Sequence, residues 1–455
     1  MGLETALALQ APAAASGLAD ALQVSVPTLH RMLQRLPADR LVSAGKARRA
    51  RYALRRPLRG VLGDLPVYAV DASGRAEMLG SMALLHPQGA WLDLARSDWP
   101  VPDESRDGWW PGLPYPFYDM RPQGYMGRLF ARAEHRALGV SPDPQAWSDD
   151  DVLHVLSQRG GDASGNLVLG DAAYADWQAA RLTRPAPLAP AQTAAAYAAL
   201  ADQAVAAGVP GSSAAGEFPK FAARREAPGG AVSNTPHVLV KFSGVDASPT
   251  VRRWADLLVC EHLALEHAAV LPGVRVARSR ILQHGGRTFL EVERFDRHGE
   301  HGRSPLCSLE SANAALLGDA SRDWTLLVRR FAATGLLAEA GVQQVAHLWW
   351  FGRLIANTDM HAGNLSFRPV AGCLSLAPAY DMLPMLHAPL AGGEVPVREF
   401  EPPLPLPPQR AVWQAACTVA LDFWAAAARD TRISEGFRAL CAQHRTRLLQ
   451  AAEHA

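Results

Sequence analysis

Asn357-Thr-Asp-Met-His-Ala-Gly-Asn-Leu-Ser-Phe367 is the stretch whose reading decides the fold. Asp359 and Asn364 stand five residues apart in it, and Ala379-Tyr-Asp-Met-Leu-Pro384 begins a dozen residues later. Phosphoryl transfer from a nucleotide needs a carboxylate to orient and deprotonate the attacking hydroxyl, plus oxygen ligands that hold magnesium against the phosphates. Asp359 as the base, with Asn364 and Asp381 as metal ligands, supplies that set. An Asn/Asp-rich turn between a helix and a hairpin is the plain alternative, because these residues favour turns on their own account.

A chain of 455 residues exceeds one ordinary core, so roughly two to four domains are expected. A hydrophobic content of 49% against 20% charged is that of a soluble globular protein. Cys260, Cys307, Cys373, Cys417 and Cys441 show no C-x-x-C spacing. They read as buried thiols in a reducing compartment. Glu4 and the lack of an early Lys or Arg argue against a signal peptide. No stretch approaches the ~20 continuous apolar residues of a membrane span. A cytoplasmic location with no membrane partner is expected.

The formal net charge of +1 hides an asymmetry: residues 1–60 alone carry +7. A basic head on an acidic body points to contact with a polyanion. Its pattern is that of three short helices and a hairpin. Leu3 to Leu9 is the first, Ser16 to Val24 the second with Ser16 as cap, and Ser25 to Leu36 the third with Ser25 capping and Pro27 in the first turn. Leu29, Leu33 and Leu36 would face inward, leaving Thr28, His30, Arg31, Gln34 and Arg35 outward. Leu41 to Leu54 reads as two strands joined by a basic Gly-Lys turn. This order predicts a winged helix-turn-helix over 1–60. The third helix would reach base edges, and Lys46, Arg48, Arg49 and Arg51 of the wing would hold phosphates. A small helical cap with a solvated charged face is the alternative.

Residues 61–95 alternate as strands, with turns at Asp71-Ala-Ser-Gly74 and near Pro87-Gln-Gly89. Residues 96–125 are rich in Pro, Trp and Tyr and read as ordered loop, and the pattern from Tyr125 to about Gln203 is mostly helical. Pro185-Ala-Pro-Leu-Ala-Pro190 reads as a surface linker. A small-residue loop, Gly211-Ser-Ser-Ala-Ala-Gly-Glu-Phe-Pro-Lys220, follows, and then the strand His237-Val-Leu-Val-Lys241. Such a loop can bring backbone N–H groups onto phosphates, and a strand lysine can pair with their oxygens. Either feature alone is ordinary. Their order is more telling: loop, lysine, helix, two strands, helices, then the Asp/Asn loop, as in a bilobal kinase. The second of those strands, Thr288-Phe-Leu-Glu-Val-Glu-Arg-Phe-Asp-Arg297, suits a hinge or an ordinary strand leaving the sheet. Residues 342–355, with Trp349, Trp350, Phe351 and Leu354, read as core of the larger lobe.

Several of these segments together resemble the HipA family of bacterial toxin serine/threonine kinases, in the YjjJ-type branch that fuses a winged helix ahead of the kinase. Thr358-Asp-Met-His-Ala-Gly-Asn364 is similar to the family's T-D-x-H-x-K-N loop and Tyr380-Asp381 to its Y-D. Val292-Glu-Arg-Phe-Asp-Arg297 is similar to its hinge, and Ser213 to Lys220 aligns on its S-x-A-G-x-x-x-K loop. Arg159-Gly-Gly-Asp-Ala-Ser-Gly165 also has the family's look.

The resemblance implies an α+β, bilobal protein-kinase-like (HipA-like) fold behind the head: a β-rich subdomain over 61–130, an N-lobe with associated helices over 131–300, and a helical C-lobe over 301–455. It implies a Mg²⁺·ATP-dependent protein kinase, the toxin of a type II toxin–antitoxin system. Asp359 would be the base, and Asn364 and Asp381 the Mg²⁺ ligands. Ala215, Gly216, Lys220, Lys241, Glu293, Arg294, Phe295, His361, Asn364 and Tyr380 would contact ATP. Ser213 would be the site of autophosphorylation, whose added charge repels nucleotide. A HipB-like antitoxin, DNA, and a protein substrate of the aminoacyl-tRNA synthetase class are the implied partners. A homodimer suits a winged helix, although no heptad seam is visible.

Two departures stand out. Gly363 replaces the family's loop lysine, removing one cation from the transferring phosphate, and Pro219 in the phosphate loop has no N–H to donate. A DNA-binding regulator with a weak or inactive kinase-like sensor body therefore remains as a second reading. A nucleic-acid-directed, metal-dependent hydrolase is a third.

Overall fold

The computed structural model describes residues 2–46, 49–183, 185–207, 218–227 and 233–455. The head consists of α1 (Leu3–Gln10), β1 (Ala13–Ala14), α2 (Ala15–Leu22), α3 (Val26–Leu33), β2 (Leu41–Ala44) and β3 (Arg51–Leu54). Ser25 caps α3 by accepting from the Thr28 N–H at 3.3 Å. Ser16 caps nothing: α2 already begins at Ala15, and its flanking Ala14 offers no side-chain acceptor. β1 joins the hairpin to make a three-stranded sheet in the order β1-β3-β2, a pairing that two alanines did not signal. Leu7, Leu18 and Leu29 are fully buried between helices and sheet.

The chain then forms β4 (Leu65–Val70), β5 (Ala76–Leu84), β6 (Ala90–Trp91) and β7 (Trp109–Trp110), followed by α4 (Gly124–Leu138), α5 (Asp149–Arg159), β8 (Leu167–Leu169) and α6 (Asp171–Thr183). These strands make one antiparallel sheet, β7-β6-β5-β4-β8. Asp71 closes the β4–β5 turn, accepting from the N–H groups of Ser73 (2.8 Å) and Arg75 (2.9 Å) while Gly74 takes φ +82°.

Head and middle sheet are one packed unit. The Arg56 N–H donates to the Leu84 carbonyl and the His86 N–H to that of Leu54, both at 2.9 Å. Val42 and Ala53 of the head bury against Ala83, Leu85 and Trp109.

The upper lobe holds α7 (Pro190–Ala206), β9 (Lys220–Arg224), β10 (His237–Phe242), α8 (Pro249–Ala268), β11 (Ser279–His284) and β12 (Arg287–Glu293), with sheet order β11-β12-β10-β9. The 185–190 segment is no free linker, because Leu188 makes a parallel bridge to Arg225 just past β9. Ser248 caps α8 and Pro249 fills its first turn.

The lower lobe follows as β13 (Arg297–His298), β14 (Gly302–Arg303), β15 (Cys307–Ser308), α9 (Leu309–Leu316), α10 (Trp324–Ala333), α11 (Glu339–Leu354), β16 (Ser366–Val370), β17 (Cys373–Leu376), α12 (Arg410–Arg429) and α13 (Glu435–Glu453). The stretch Pro407–Arg429 is long and apolar enough to cross a membrane on composition. Here it serves as a core helix: Trp413, Phe423 and Trp424 are buried, and the Trp424 indole donates to the Leu354 carbonyl at 3.0 Å. All five cysteines are free thiols, and four are buried. Cys373 on the β16–β17 hairpin is exposed, contrary to the expectation of buried thiols throughout.

His444 of α13 and His387 stack with ring centroids 4.8 Å apart and Nε2 atoms at 2.8 Å, both almost fully buried. Burial, helped by His444 and then Arg253 and Arg398, lowers His387 to about 3; burial and Arg447 lower His444 to about 4. Both therefore stay neutral in the fold while the unfolded chain protonates near the ordinary value of 6.5. Their contribution is fully present above that value and falls with pH, by about 1.4 kcal/mol per histidine per unit. Urea unfolding should show a steep loss of stability from about pH 6.5 down to about pH 4, roughly halved in slope by His444→Gln. Equal slopes in the two proteins would show that the pair does not titrate in this way.

Candidate functional site

A cleft of about 510 Å³ opens between the upper-lobe sheet, the start of the lower lobe and the middle helices. Lys241 sits on its floor at the end of β10, nearly buried, and its ammonium meets both carboxylate oxygens of Glu261 at 2.8 Å. The same ammonium pairs with Asp381. Glu261 projects from the middle of α8 and is 1% exposed. Sequence reading missed it. The available signal was a carboxylate enclosed by Leu257, Leu258, Val259 and Cys260 before it and Leu263 to Leu265 after it, where a charge survives only if paired.

The three charges shape one another. Burial pushes Glu261 up to about 7 against the pull of Lys241, with Asp381 adding to the rise. Burial would raise Asp381 too, but Lys241 and Lys220 outweigh it and hold that carboxyl below its ordinary range. Burial acts to lower Lys241, and its two carboxylates reverse this, keeping the ammonium charged. Lys220 stands opposite Lys241 in the β9–β10 register. Two cations and two carboxylates thus converge at one end of the cleft.

The loop after α11 is tied to this end from two sides. Asn357 donates to the Asp381 carbonyl at 3.3 Å and accepts from the Asp359 N–H at 3.0 Å. The Asn364 amide donates to the Asp359 carbonyl at 2.8 Å, which orients its oxygen away from that contact. The Tyr380 hydroxyl donates to the Gly363 carbonyl at 2.8 Å and lies 2.7 Å from the Ser366 hydroxyl. Asp381 holds φ +54°, a left-handed conformation that turns the chain sharply after Tyr380. His361 caps the short turn Ala362–Asn364 by accepting from the Gly363 N–H at 3.1 Å.

Lys220, Lys241, Glu293, Arg294, Phe295 and Tyr380, expected at the nucleotide, and Asp381, expected at the metal, all line the cleft. Asp359, His361 and Asn364 are not part of its lining; they lie at its edge, joined to it through Asn357 and Tyr380, and the Asp359 side chain is exposed. Ala215, Gly216 and Ser213 lie outside the described residues, as does Arg48.

The hinge differs from expectation in its backbone. The Glu293 N–H donates to the Arg278 carbonyl (2.8 Å) and the Arg294 N–H to that of His237 (3.0 Å), and the Phe295 carbonyl accepts from Arg368. The two N–H groups serve the upper-lobe sheet, and the Phe295 carbonyl is tied to β16. The side chains are committed too, Glu293 to Arg225 at 2.7 Å and Arg294 to Asp296 at 3.0 Å. The far wall was not foreseen either. Met126 and Phe130 of α4 and Val155 and Leu156 of α5 supply an apolar face from the middle region.

At the head, His30, Arg31, Gln34, Arg35, Lys46, Arg49 and Arg51 are exposed, and Thr28 is half-buried with its hydroxyl accepting from Arg31 at 3.2 Å. Part of the head's positive charge is neutralised inside the molecule. Arg55 pairs with Asp64, Arg56 with Asp150 and Arg59 with Asp151, all acids beyond residue 60. Net charge over 1–60 therefore overstates what a polyanion would meet.

The oxygens available fit magnesium: a carboxylate held ionised by two lysines and an amide oxygen on a fixed loop are hard donors of the kind that ion takes. Gly363 breaks the pattern locally. A Cβ there would stand 2.9 Å from His361 Cε1 and 3.3 Å from the Glu310 carboxylate. A carboxylate, not a cation, neighbours this position.

Comparison with known proteins shows the family. Residues 62–178 match the family described as YjjJ-like toxin, middle domain, and residues 212–444 match the HipA-like C-terminal domain. The chain is 37% identical over 452 residues to Toxin YjjJ of Escherichia coli K12, covering 99% of this chain and 98% of that protein. A HipA chain from a Shewanella oneidensis MR-1 complex with HipB and operator DNA aligns at 17% identity, TM-score 0.48, over 86% of this chain and 97% of its own. The Helicobacter pylori proinflammatory kinase CtkA aligns at 11% identity, TM-score 0.35, over 52% and 95%. The family models and the full-length relative leave one conclusion: this chain belongs to the YjjJ-like branch of the HipA-like toxins and has a HipA-like, α+β fold.

Proposed function

We propose that this chain is a Mg²⁺·ATP-dependent serine/threonine protein kinase that acts as a growth-inhibiting toxin and carries its own DNA-binding head. The observation that carries the reading is Lys241 clamped between Glu261 and Asp381 at the cleft floor. A strand lysine paired with a helix glutamate and facing a metal-type Asp is how kinases hold nucleotide phosphates. Lys241 would leave Asp381 to meet the α/β-phosphates, with Glu261 keeping the ammonium aimed. Asn364 and Asp381 would hold Mg²⁺, which supplies charge neutralisation at the phosphoryl oxygens. Lys220 offers a second cation, in part replacing the one missing at Gly363. Asp359, exposed at the cleft edge, would accept a proton from an incoming protein hydroxyl.

Purified protein with γ-labelled ATP and Mg²⁺ tests this. Label should pass to the chain itself or to an added protein extract. A protein that neither binds ATP nor transfers label ends the kinase reading. One observation favours the regulator with a weak sensor body: Glu310 stands beside Gly363 where the family resemblance calls for a lysine. In that case ATP would bind without transfer.

The head reading rests on the exposed Arg31 and Arg35 of α3 and Arg49 and Arg51 of the hairpin. Arg31→Ala/Arg35→Ala should weaken binding to duplex DNA and lower the log–log salt slope by about 2, one per lost cation. Titration by fluorescence anisotropy across salt concentrations checks it, and an unchanged slope would remove α3 from the interface. Point variants are preferable to deleting residues 1–60, which would expose Leu85 and Trp109. The HipB-like antitoxin and the protein substrate remain partners to be sought by co-purification.

A further inference from the structure

We infer that α5 couples the nucleotide cleft to the DNA-binding head, so that each ligand changes the other's affinity. The inference rests on the reading of cleft and head proposed above.

The first turn of α5 grips the head. Asp150 takes Arg56 in a two-pronged pair at 2.6 and 2.7 Å, and Asp151 pairs with Arg59, which also donates to the Gly139 carbonyl at 2.9 Å. A paired fork of this kind fixes orientation as well as distance. Arg56 is in turn locked to the middle sheet by its own N–H on Leu84. These arginines immediately follow β3, so the hairpin cannot shift without them.

The last turns of the same helix form a wall of the cleft, through Val155 and Leu156. Just beyond, Asp162 reaches the hinge, pairing with Arg294 at 3.3 Å and Arg297 at 3.0 Å. Burial would raise the Asp162 carboxyl, but Arg294, Arg297 and Arg303 hold it well below its ordinary range, so the hinge end is ionised and fastened. An eleven-residue helix is about 16 Å long and does not bend under such loads without a break. Nothing in α5 provides one: it has a capping box at Ser148 and no internal Gly or Pro.

Nucleotide must enter between Val155 and Leu156 on one side and Leu239 and Val292 on the other. It must also draw Lys241 from Asp381. Either event moves the sheet and hinge relative to α5, and the helix passes that displacement to the arginines at the base of the hairpin. Binding free energies linked in this way are reciprocal.

The test uses the full chain, a fluorescein-labelled duplex DNA of mixed sequence, and Mg²⁺ with a non-hydrolysable ATP analogue. Saturating analogue should change the duplex Kd by about fivefold or more, and saturating duplex should change the analogue Kd by the same factor. Asp150→Asn/Asp151→Asn, and separately Arg56→Gln, should keep both single-ligand affinities and lose the shift. Two ligands that bind with unchanged affinities in each other's presence overturn the coupling and leave the proposed function standing. A shift that persists in both variants overturns α5 as its route. Wild-type protein that fails to bind either ligand overturns the proposed function and the coupling with it.

Discussion

Asp359→Ala is expected to lower the rate of phosphoryl transfer by about 10²- to 10⁴-fold while leaving Mg²⁺·ATP affinity within roughly twofold. The structure separates the two effects. The Asp359 side chain is exposed and outside the cleft lining, so it adds little to holding nucleotide. Its backbone is fixed independently, by Asn357 on its N–H and Asn364 on its carbonyl, so the loop keeps its shape when the carboxylate is removed. A loss confined to the rate, with binding intact, is the signature of a group acting in the transition state alone. Asp381→Ala should behave differently, because its carboxylate pairs with Lys241 and would be the stronger oxygen donor of the proposed metal pair. There nucleotide binding itself should fall. Transfer of label from γ-labelled ATP gives the rates, and equilibrium titration gives the affinities. An Asp359→Ala protein that transfers label at the wild-type rate would return the loop to being a turn and nothing more.

How much of this could be read in advance depended on distance along the chain. Asp359, Asn364 and Asp381 lie within one short stretch, and their chemistry is local: a turn, a cap and a left-handed residue place them. Lys241 was legible because a strand end fixes its direction. Its partner Glu261 was not, since α8 is buried on nearly every face and offers no polar side to contrast with one acid. The far wall of the cleft was hidden for another reason. Met126, Phe130, Val155 and Leu156 belong to a region whose helices looked complete in themselves, and no periodicity says which apolar residue will face a ligand instead of a core. The head shows the opposite error. Its boundary at residue 60 was a reasonable reading of charge. Yet Arg55, Arg56 and Arg59 turn inward to Asp64, Asp150 and Asp151, two of them some ninety positions away, which charge counting cannot see. The HipA-like fold itself was legible because motif order survives where single motifs are weak.

Lys241→Met should cost about 3–5 kcal/mol of stability as well as nucleotide binding, since it strands Glu261 and Asp381 without their shared cation. The pH dependence distinguishes this from simple loss of packing. In the wild type Glu261 is raised to about 7 from an ordinary 4.5, so its contribution is fullest below that ordinary value and is lost as pH climbs to about 7. Removing Lys241 removes the main force opposing that rise and the main force holding Asp381 down. Both carboxyls then move upward, two like charges in one buried site hold a proton to higher pH, and the penalty extends into the alkaline range. The gap between variant and wild type should therefore be smallest near about pH 4, close to the ordinary Asp value, and widen toward about pH 8.5. The His387–His444 pair does not blur the comparison, because its titration is common to both proteins and cancels in the difference. Adding Glu261→Gln to Lys241→Met removes one of the stranded charges and should recover most of the loss at alkaline pH, although the polar amide sits where an ion pair was. Urea unfolding of the three proteins at the two pH values measures these differences. A gap of equal size at both would mean that the variant suffers from a missing side chain and not from unpaired charge, and the electrostatic account of the Lys241–Glu261–Asp381 cluster would fail.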